Sequence, residues 1–124
     1  MKLNQVTVGC IDYAASVAFY KLIGLRQIVD SPPNYARFET PSGETFSIHC
    51  ENHPSQSATV VYFEVDDVDA KCAELKRLGL KLASEPTDES WLWREARLID
   101  PSGNQICIYF AGENRRFPPW RIQE

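Results

Sequence analysis

Pro41-Ser42-Gly43-Glu44-Thr45-Phe46-Ser47-Ile48-His49 and Pro101-Ser102-Gly103-Asn104-Gln105-Ile106-Cys107-Ile108-Tyr109 are two versions of one pattern. Each is a Pro-Ser-Gly turn followed by a strand with apolar residues at every second position. The two lie 60 residues apart (101 − 41). Upstream of each is an amphipathic stretch opened by aspartate and closed by glycine, Asp12 to Gly24 and Asp67 to Gly79, at an offset of 55 (67 − 12 and 79 − 24). A repeat of this length denotes two copies of one supersecondary unit. A site in such a protein is expected at the junction of the halves.

Working outward, the pattern predicts β-α-β-β-β twice. Gln5 to Cys10 alternates as a strand, with Val6 and Val8 on one face and Gln5 and Thr7 on the other. Asp12 suits an N-cap, because its carboxylate can accept from free first-turn amides. The helix is expected to reach about Ile23, burying Ala15, Phe19 and Leu22 with Ala18 and Ile23. Gly24 can take the left-handed conformation that ends a helix. Strands are expected over 25–29 and 35–40, with a turn at Pro32-Pro33-Asn34. Residues 53–57, with Pro54, read as a linker, and His53 in it as a surface residue. The second copy is expected as a strand over 59–65, a helix over 68–78, a short strand over 81–83, a loop over 85–90, and strands over 91–99 and 105–110. The tail contains Pro118-Pro119, which argues against a helix, and Phe117 and Trp120 are expected to anchor it. One domain, residues 1–124, is expected: module one over about 3–52, a linker over 53–58, module two over 59–111 and a tail over 112–124.

Composition narrows the function classes. At 124 residues, 44% hydrophobic and 24% charged, the chain reads as a globular domain with a real core. A net charge of −4 and a pI near 5.2 argue against nucleic-acid and anionic-membrane surfaces. No run approaches the ~20 apolar residues of a membrane span. The N-terminus runs directly into a strand without a signal-peptide pattern, so a cytoplasmic location is expected. Cys10, Cys50, Cys72 and Cys107 lack Cys-x-x-Cys spacing and are expected as buried thiols.

Alternation separates two faces. Val6, Val8, Phe46, Ile48, Val61, Phe63, Val65, Ile106, Ile108 and Phe110 are expected beneath the helices. The opposite face carries Gln5, Thr7, Ser47, His49, Val60, Tyr62, Glu64, Cys107 and Tyr109, a mixture that suits a concave, half-buried pocket. In the stretch from Trp91 to Arg97, alternation places Trp91, Trp93, Glu95 and Arg97 together, and indoles beside a guanidinium suit a planar or anionic ligand. Subunit contact or packing of the tail through Trp120 is the alternative for those indoles. Arg37 and Glu39 read as an ion pair.

These segments resemble the vicinal oxygen chelate superfamily, which includes glyoxalase I, bleomycin-resistance proteins and extradiol dioxygenases. The resemblance rests on Val6-Thr7-Val8, Asp12, Ser16 through Leu25, Val65-Asp66-Asp67-Val68, Leu78-Gly79-Leu80 and Asp100-Pro101-Ser102-Gly103-Asn104, and covers about residues 3 to 111. It implies an α+β fold of two tandem βαβββ modules forming an open, cup-shaped mixed β-sheet, often completed by a second subunit, so a homodimer is expected.

Family enzymes hold a divalent metal on His, Glu or Gln from the first and fourth strands of each module. The corresponding positions here are Gln5, Ser47, Val60 and Cys107. Valine cannot ligate, serine is a poor ligand, and a lone cysteine does not make a soft-metal site. No metal or other cofactor is therefore expected. The leading expectation is a small aromatic or planar molecule bound in a cup of Gln5, Thr7, Ser47, His49, Val60, Tyr62, Trp91, Trp93, Cys107 and Tyr109. Two alternatives stay open. One is an enzyme (lyase, isomerase or dioxygenase) with a rebuilt metal or acid–base site, for which His49, Glu64, Glu95 and Tyr62 are the candidates, with Cys107 as a conceivable nucleophile. The other is an interaction module docking through Phe117, Pro118, Pro119, Trp120 and Arg121.

Overall fold

The computed structural model describes residues 2–50 and 59–123. The expected linker, with His53, lies outside the described residues. The order is β1 (Gln5–Cys10), α1 (Tyr13–Leu22), β2 (Arg26–Ser31), β3 (Tyr35–Glu39), β4 (Thr45–Cys50), β5 (Val60–Glu64), α2 (Val68–Arg77), β6 (Ser84–Asp88), β7 (Arg94–Ile99) and β8 (Gln105–Phe110). A 3-10 helix, Gly112–Arg115, follows. Two open four-stranded sheets result, ordered β1-β4-β3-β2 and β5-β8-β7-β6. In each, the first and fourth strands of the module run parallel and the remaining pairs antiparallel. This is the βαβββ module twice.

Local chemistry accounts for the helix boundaries. The Asp12 carboxylate accepts from Ala15 N and the Asp67 carboxylate from Ala70 N, each at 3.0 Å, filling amides that the first turn leaves unpaired. Gly24 (φ 115°) and Gly79 (φ 91°) take the left-handed conformation just past each helix, where a side chain would be strained.

The chain forms two compact units, Met1–Thr59 with Asp100–Asn104, and Val60–Ile99 with Gln105–Glu124. The core of unit one comprises Val8, Phe19, Tyr20, Ile23, Ala36, Phe38, Phe46 and Ile48. Tyr20 lies tilted against Phe38 and Phe46, with ring centroids 5.8 and 4.5 Å away. The core of unit two comprises Val68, Cys72, Leu75, Ala96, Leu98, Ile106 and Ile108.

The α1 face differs from the periodicity reading. Ser16, Phe19, Tyr20 and Ile23 are buried, whereas Ala18 and Leu22 are exposed. The stripe admits polar groups because the turn at Asp100–Asn104 meets them. The Tyr20 hydroxyl donates to Asp100 Oδ2 at 2.6 Å, and the Ser16 and Ser102 hydroxyls lie 3.4 Å apart. Asp100 is itself 4% exposed and accepts from Ser102 N (2.9 Å), Asn104 N (2.8 Å) and Asn104 Nδ2 (2.8 Å). The Asn104 amide then donates to Gly9 O at 2.7 Å, and Ile11 N donates to Ser102 Oγ at 2.7 Å. Burial and the adjacent carboxylate push the Tyr20 phenol far above its ordinary pKa, so it remains a donor.

Other departures have equally local causes. The strand expected at 81–83 is Ser84–Asp88 instead, because Pro86 costs no ladder hydrogen bond on an edge strand, and the register shifts there. The strand expected over 91–99 starts at Arg94 rather than Trp91. Residues 89–92 turn, with Leu92 N donating to Glu89 O and Leu92 at φ 69°. Val6 and Phe110, expected beneath the helices, are 37% and 43% exposed at strand ends, while Val61, Phe63 and Val65 are half-buried. Arg37 donates from Nε to the Tyr35 hydroxyl at 2.8 Å, and Glu39 faces Arg26 at 3.9 Å, so the expected Arg37–Glu39 pair is replaced. Glu39 faces Arg26 directly across the β2–β3 ladder, while Arg37 turns to Tyr35 two residues before it on the same face. Phe117 and Trp120 are 55% and 58% exposed rather than buried anchors. Arg116 and Arg121 instead stack on the Phe117 ring at 5.2 and 4.7 Å.

Cys10 and Cys50 occupy facing positions of parallel strands, their Cα atoms 4.3 Å apart, and are joined as a disulfide, which corrects the expectation of four thiols. Cys72 and Cys107 are free and buried. Burial, with Glu95 adding to it, pushes the Cys107 thiol up to about 12, and burial also raises Cys72. A thiol titration of unfolded, unreduced protein is therefore expected to count these two thiols alone. Iodoacetamide at about pH 8, where an unperturbed thiol begins to ionise, is expected to leave both unmodified in the folded protein. Mass spectrometry of the alkylated chain checks both outcomes.

Candidate functional site

Strand register assembles the polar face of each unit. In unit one, Thr7, Ser47 and Arg37 lie in one row across β1, β4 and β3. Ser47 is fully buried, with its hydroxyl 2.8 Å from Thr7 Oγ1 and 3.4 Å from Gln5 Nε2. The Gln5 carbonyl accepts from Thr45 Oγ1 at 2.7 Å. Arg37 also lies 5.5 Å over the Tyr35 ring. Hydrogen bonds from Ser47 and Arg37 hold the Tyr35 phenol below its ordinary pKa. His49 shares this face at the exposed end of β4, in register with Tyr35. A shallow groove in the same unit, lined by Lys21 and residues 25–30, gathers none of the candidate residues.

In unit two the corresponding row is Arg97, Cys107 and Tyr62, and the next is Glu95, Tyr109 and Glu64. Trp93 stacks on Tyr109 at 4.8 Å, and Tyr62 stands edge-on to both, 5.9 Å from Trp93 and 5.5 Å from Tyr109. Edge-to-face contacts at these distances are attractive because a positive ring edge meets a negative face. The Arg97 guanidinium lies 5.8 Å over Tyr62. Glu95 is 5% exposed and accepts from Trp91 Nε1 (2.8 Å) and Arg97 Nη2 (3.4 Å). Tyr62 and Trp91 remain 44% and 41% exposed, so aromatic surface is presented outward beside the pair of buried Glu95 and partly exposed Arg97.

Most of the sequence candidates thus fall into two groups. Gln5, Thr7, Ser47 and His49 share the face of unit one. Tyr62, Trp91, Trp93, Cys107 and Tyr109 gather in unit two, where Val60 packs half-buried against Cys107, Tyr109 and Ala111. Glu64 plays a structural part instead. Its Oε2 accepts from Ala111 N (2.8 Å) and Gly112 N (3.0 Å), securing the start of the 3-10 helix. Cys107, buried and protonated, is no activated nucleophile. The Tyr35–Arg37 pair was absent from the sequence candidates, although the repeat signals it, since Arg37 stands 60 residues before Arg97, the Pro-Ser-Gly offset (97 − 37).

The four positions aligned with the family's metal ligands do not fit a divalent ion. The Ser47 hydroxyl is buried in hydrogen bonds, Val60 offers no donor atom, Cys107 holds its proton and Gln5 is neutral. Among the described residues, no group of three or more His, Cys, Asp or Glu side chains is gathered for an ion. No helix among them is long and apolar enough to cross a membrane.

Duplicated βαβββ modules with a polar, aromatic-bearing face on each sheet define the class. The model of the Glyoxalase/Bleomycin resistance protein/Dioxygenase superfamily matches residues 2–108, and the chain belongs to that family. It is 34% identical over 125 residues to the uncharacterized protein YraH of Bacillus subtilis, covering 88% of this chain and 98% of that protein. Its fold is similar to that of a glyoxalase/bleomycin resistance protein/dioxygenase from Nocardioides, with a TM-score of 0.77 and 20% identity over 99% of this chain and 90% of that one. Lactoylglutathione lyase from Agrobacterium tumefaciens also has a similar fold, with a TM-score of 0.77 and 16% identity over 94% and 97% of the two chains.

Proposed function

We propose that this protein binds a small aromatic or planar molecule on the polar face of β5, β8 and β7, without a divalent metal centre. The cluster of Tyr62, Trp93 and Tyr109, open to solvent at Tyr62 and flanked by Trp91, carries the reading. Rigid rings offer contact area at little entropic cost, and a half-exposed ring lets a planar ligand stack without dismantling the core. The metal-free part of the reading is supported by the donor set at Gln5, Ser47, Val60 and Cys107.

Tryptophan fluorescence titrated with a panel of fused-ring compounds tests the proposal. Binding by at least one compound is expected, weakened about tenfold by Tyr62→Ala, which removes roughly one stacking contact of 1–1.5 kcal/mol. Phe117→Ala, in the tail, is expected to leave the affinity unchanged. A panel without any binder, or a binder indifferent to Tyr62→Ala, overturns the proposal.

A further inference from the structure

We infer that the molecule held on this face carries an acidic group, a carboxylate or its equivalent, received by Arg97. The inference rests on the aromatic-binding reading and adds the ligand's charge.

Arg97 shares this face with two carboxylates, Glu64 and Glu95, and their availability differs, Glu64 being held by the Ala111 and Gly112 amides. Glu95 is enclosed, with one carboxylate oxygen held by the Trp91 indole and the other by Arg97. It has little surface left for a ligand cation. The Arg97 side chain is 31% exposed, and its hydrogen bond to Glu95 is a single long one from Nη2 at 3.4 Å. A guanidinium has five N–H donors in a planar fork suited to two carboxylate oxygens. The contact with Glu95 uses Nη2 alone and Cys107 is a second, weakly accepting neighbour, so the five-donor fork keeps donors for a ligand acid. The guanidinium also sits over Tyr62, the most open ring of the cluster, so an acid on a ring stacked there falls within its reach. Glu95 then acts as a resident counter-ion. It neutralises Arg97 in the empty site and competes with the ligand acid for it.

The test uses three probes of one shape, 2-naphthoate, 2-naphthamide and 2-naphthylmethylammonium, titrated into the full chain at neutral pH. A preference of about tenfold for naphthoate over the amide is expected, the size of one charge-assisted hydrogen bond over a neutral one. Arg97→Gln is expected to erase that preference, lowering naphthoate affinity about tenfold more than naphthamide affinity. Glu95→Gln, which removes the competing carboxylate and keeps the side chain's shape, is expected to raise naphthoate affinity several-fold. The Glu95→Gln/Arg97→Gln double variant leaves no buried charge unpaired and should behave as Arg97→Gln does. Equal binding of acid and amide, preference for the ammonium probe, or a preference that survives Arg97→Gln overturns the inference and leaves aromatic binding standing. Failure of all three probes, together with the fused-ring panel, overturns both.

Discussion

Asp100→Ala is expected to destabilise the protein by about 3–5 kcal/mol, because it removes at once the acceptor of one buried and three partly buried donors. Asp100 accepts four hydrogen bonds, from the Tyr20 hydroxyl, two backbone amides and the Asn104 side chain, within a buried pocket of unit one. Alanine removes all four acceptor contacts and leaves the fully buried Tyr20 hydroxyl without this partner. Tyr20→Phe removes one donor and keeps the other three contacts, so a smaller loss of about 1–2 kcal/mol is expected. The first repeat supplies a control. Glu44, at the position that Asn104 holds in the second, is exposed, and its bonds run to Thr40 and Ser42 in the same turn. Glu44→Ala is expected to leave the urea midpoint in place. Equilibrium urea unfolding of the four proteins checks the order. An Asp100→Ala midpoint equal to that of the parent would remove the turn from the account of stability.

Phe38→Ala should cost a comparable amount, about 3–5 kcal/mol, for a different reason: an aromatic cavity that a packed core closes only in part. Phe38 is fully buried, between Tyr20 at 5.8 Å and Phe46 at 6.4 Å. Its neighbours stand on a helix and a strand fixed by hydrogen bonds, so collapse into the gap is limited. Phe117→Ala in the tail is expected to change the thermal midpoint little, since that ring is 55% exposed and touches arginines rather than core. A large loss on Phe117→Ala would restore the tail as a structural anchor.

Much of the architecture was legible because its signals are local. The N-caps at Asp12 and Asp67, the glycines at 24 and 79 and the period-two strands each act within a few residues, and the duplication repeats them. On the polar face, alternation brought Tyr62, Cys107 and Tyr109 together, and it linked Glu95 and Arg97 along β7 with Trp93 just before it. The partners of Glu64 on that face, Ala111 N and Gly112 N, are backbone groups that no side-chain pattern reveals.

The sequence by itself determined the two βαβββ modules, their helix caps and their Pro-Ser-Gly turns, since periodicity and capping are short-range effects. Only the tertiary structure decided which stripe of α1 is buried, which copy of the Pro-Ser-Gly turn is pinned, and that Cys10 meets Cys50. These depend on which polar group, tens of residues away, arrives to satisfy a buried donor or to stand opposite a side chain. Tyr20 can lie in the core because Asp100 accepts its hydrogen bond, a pairing 80 residues apart in the chain.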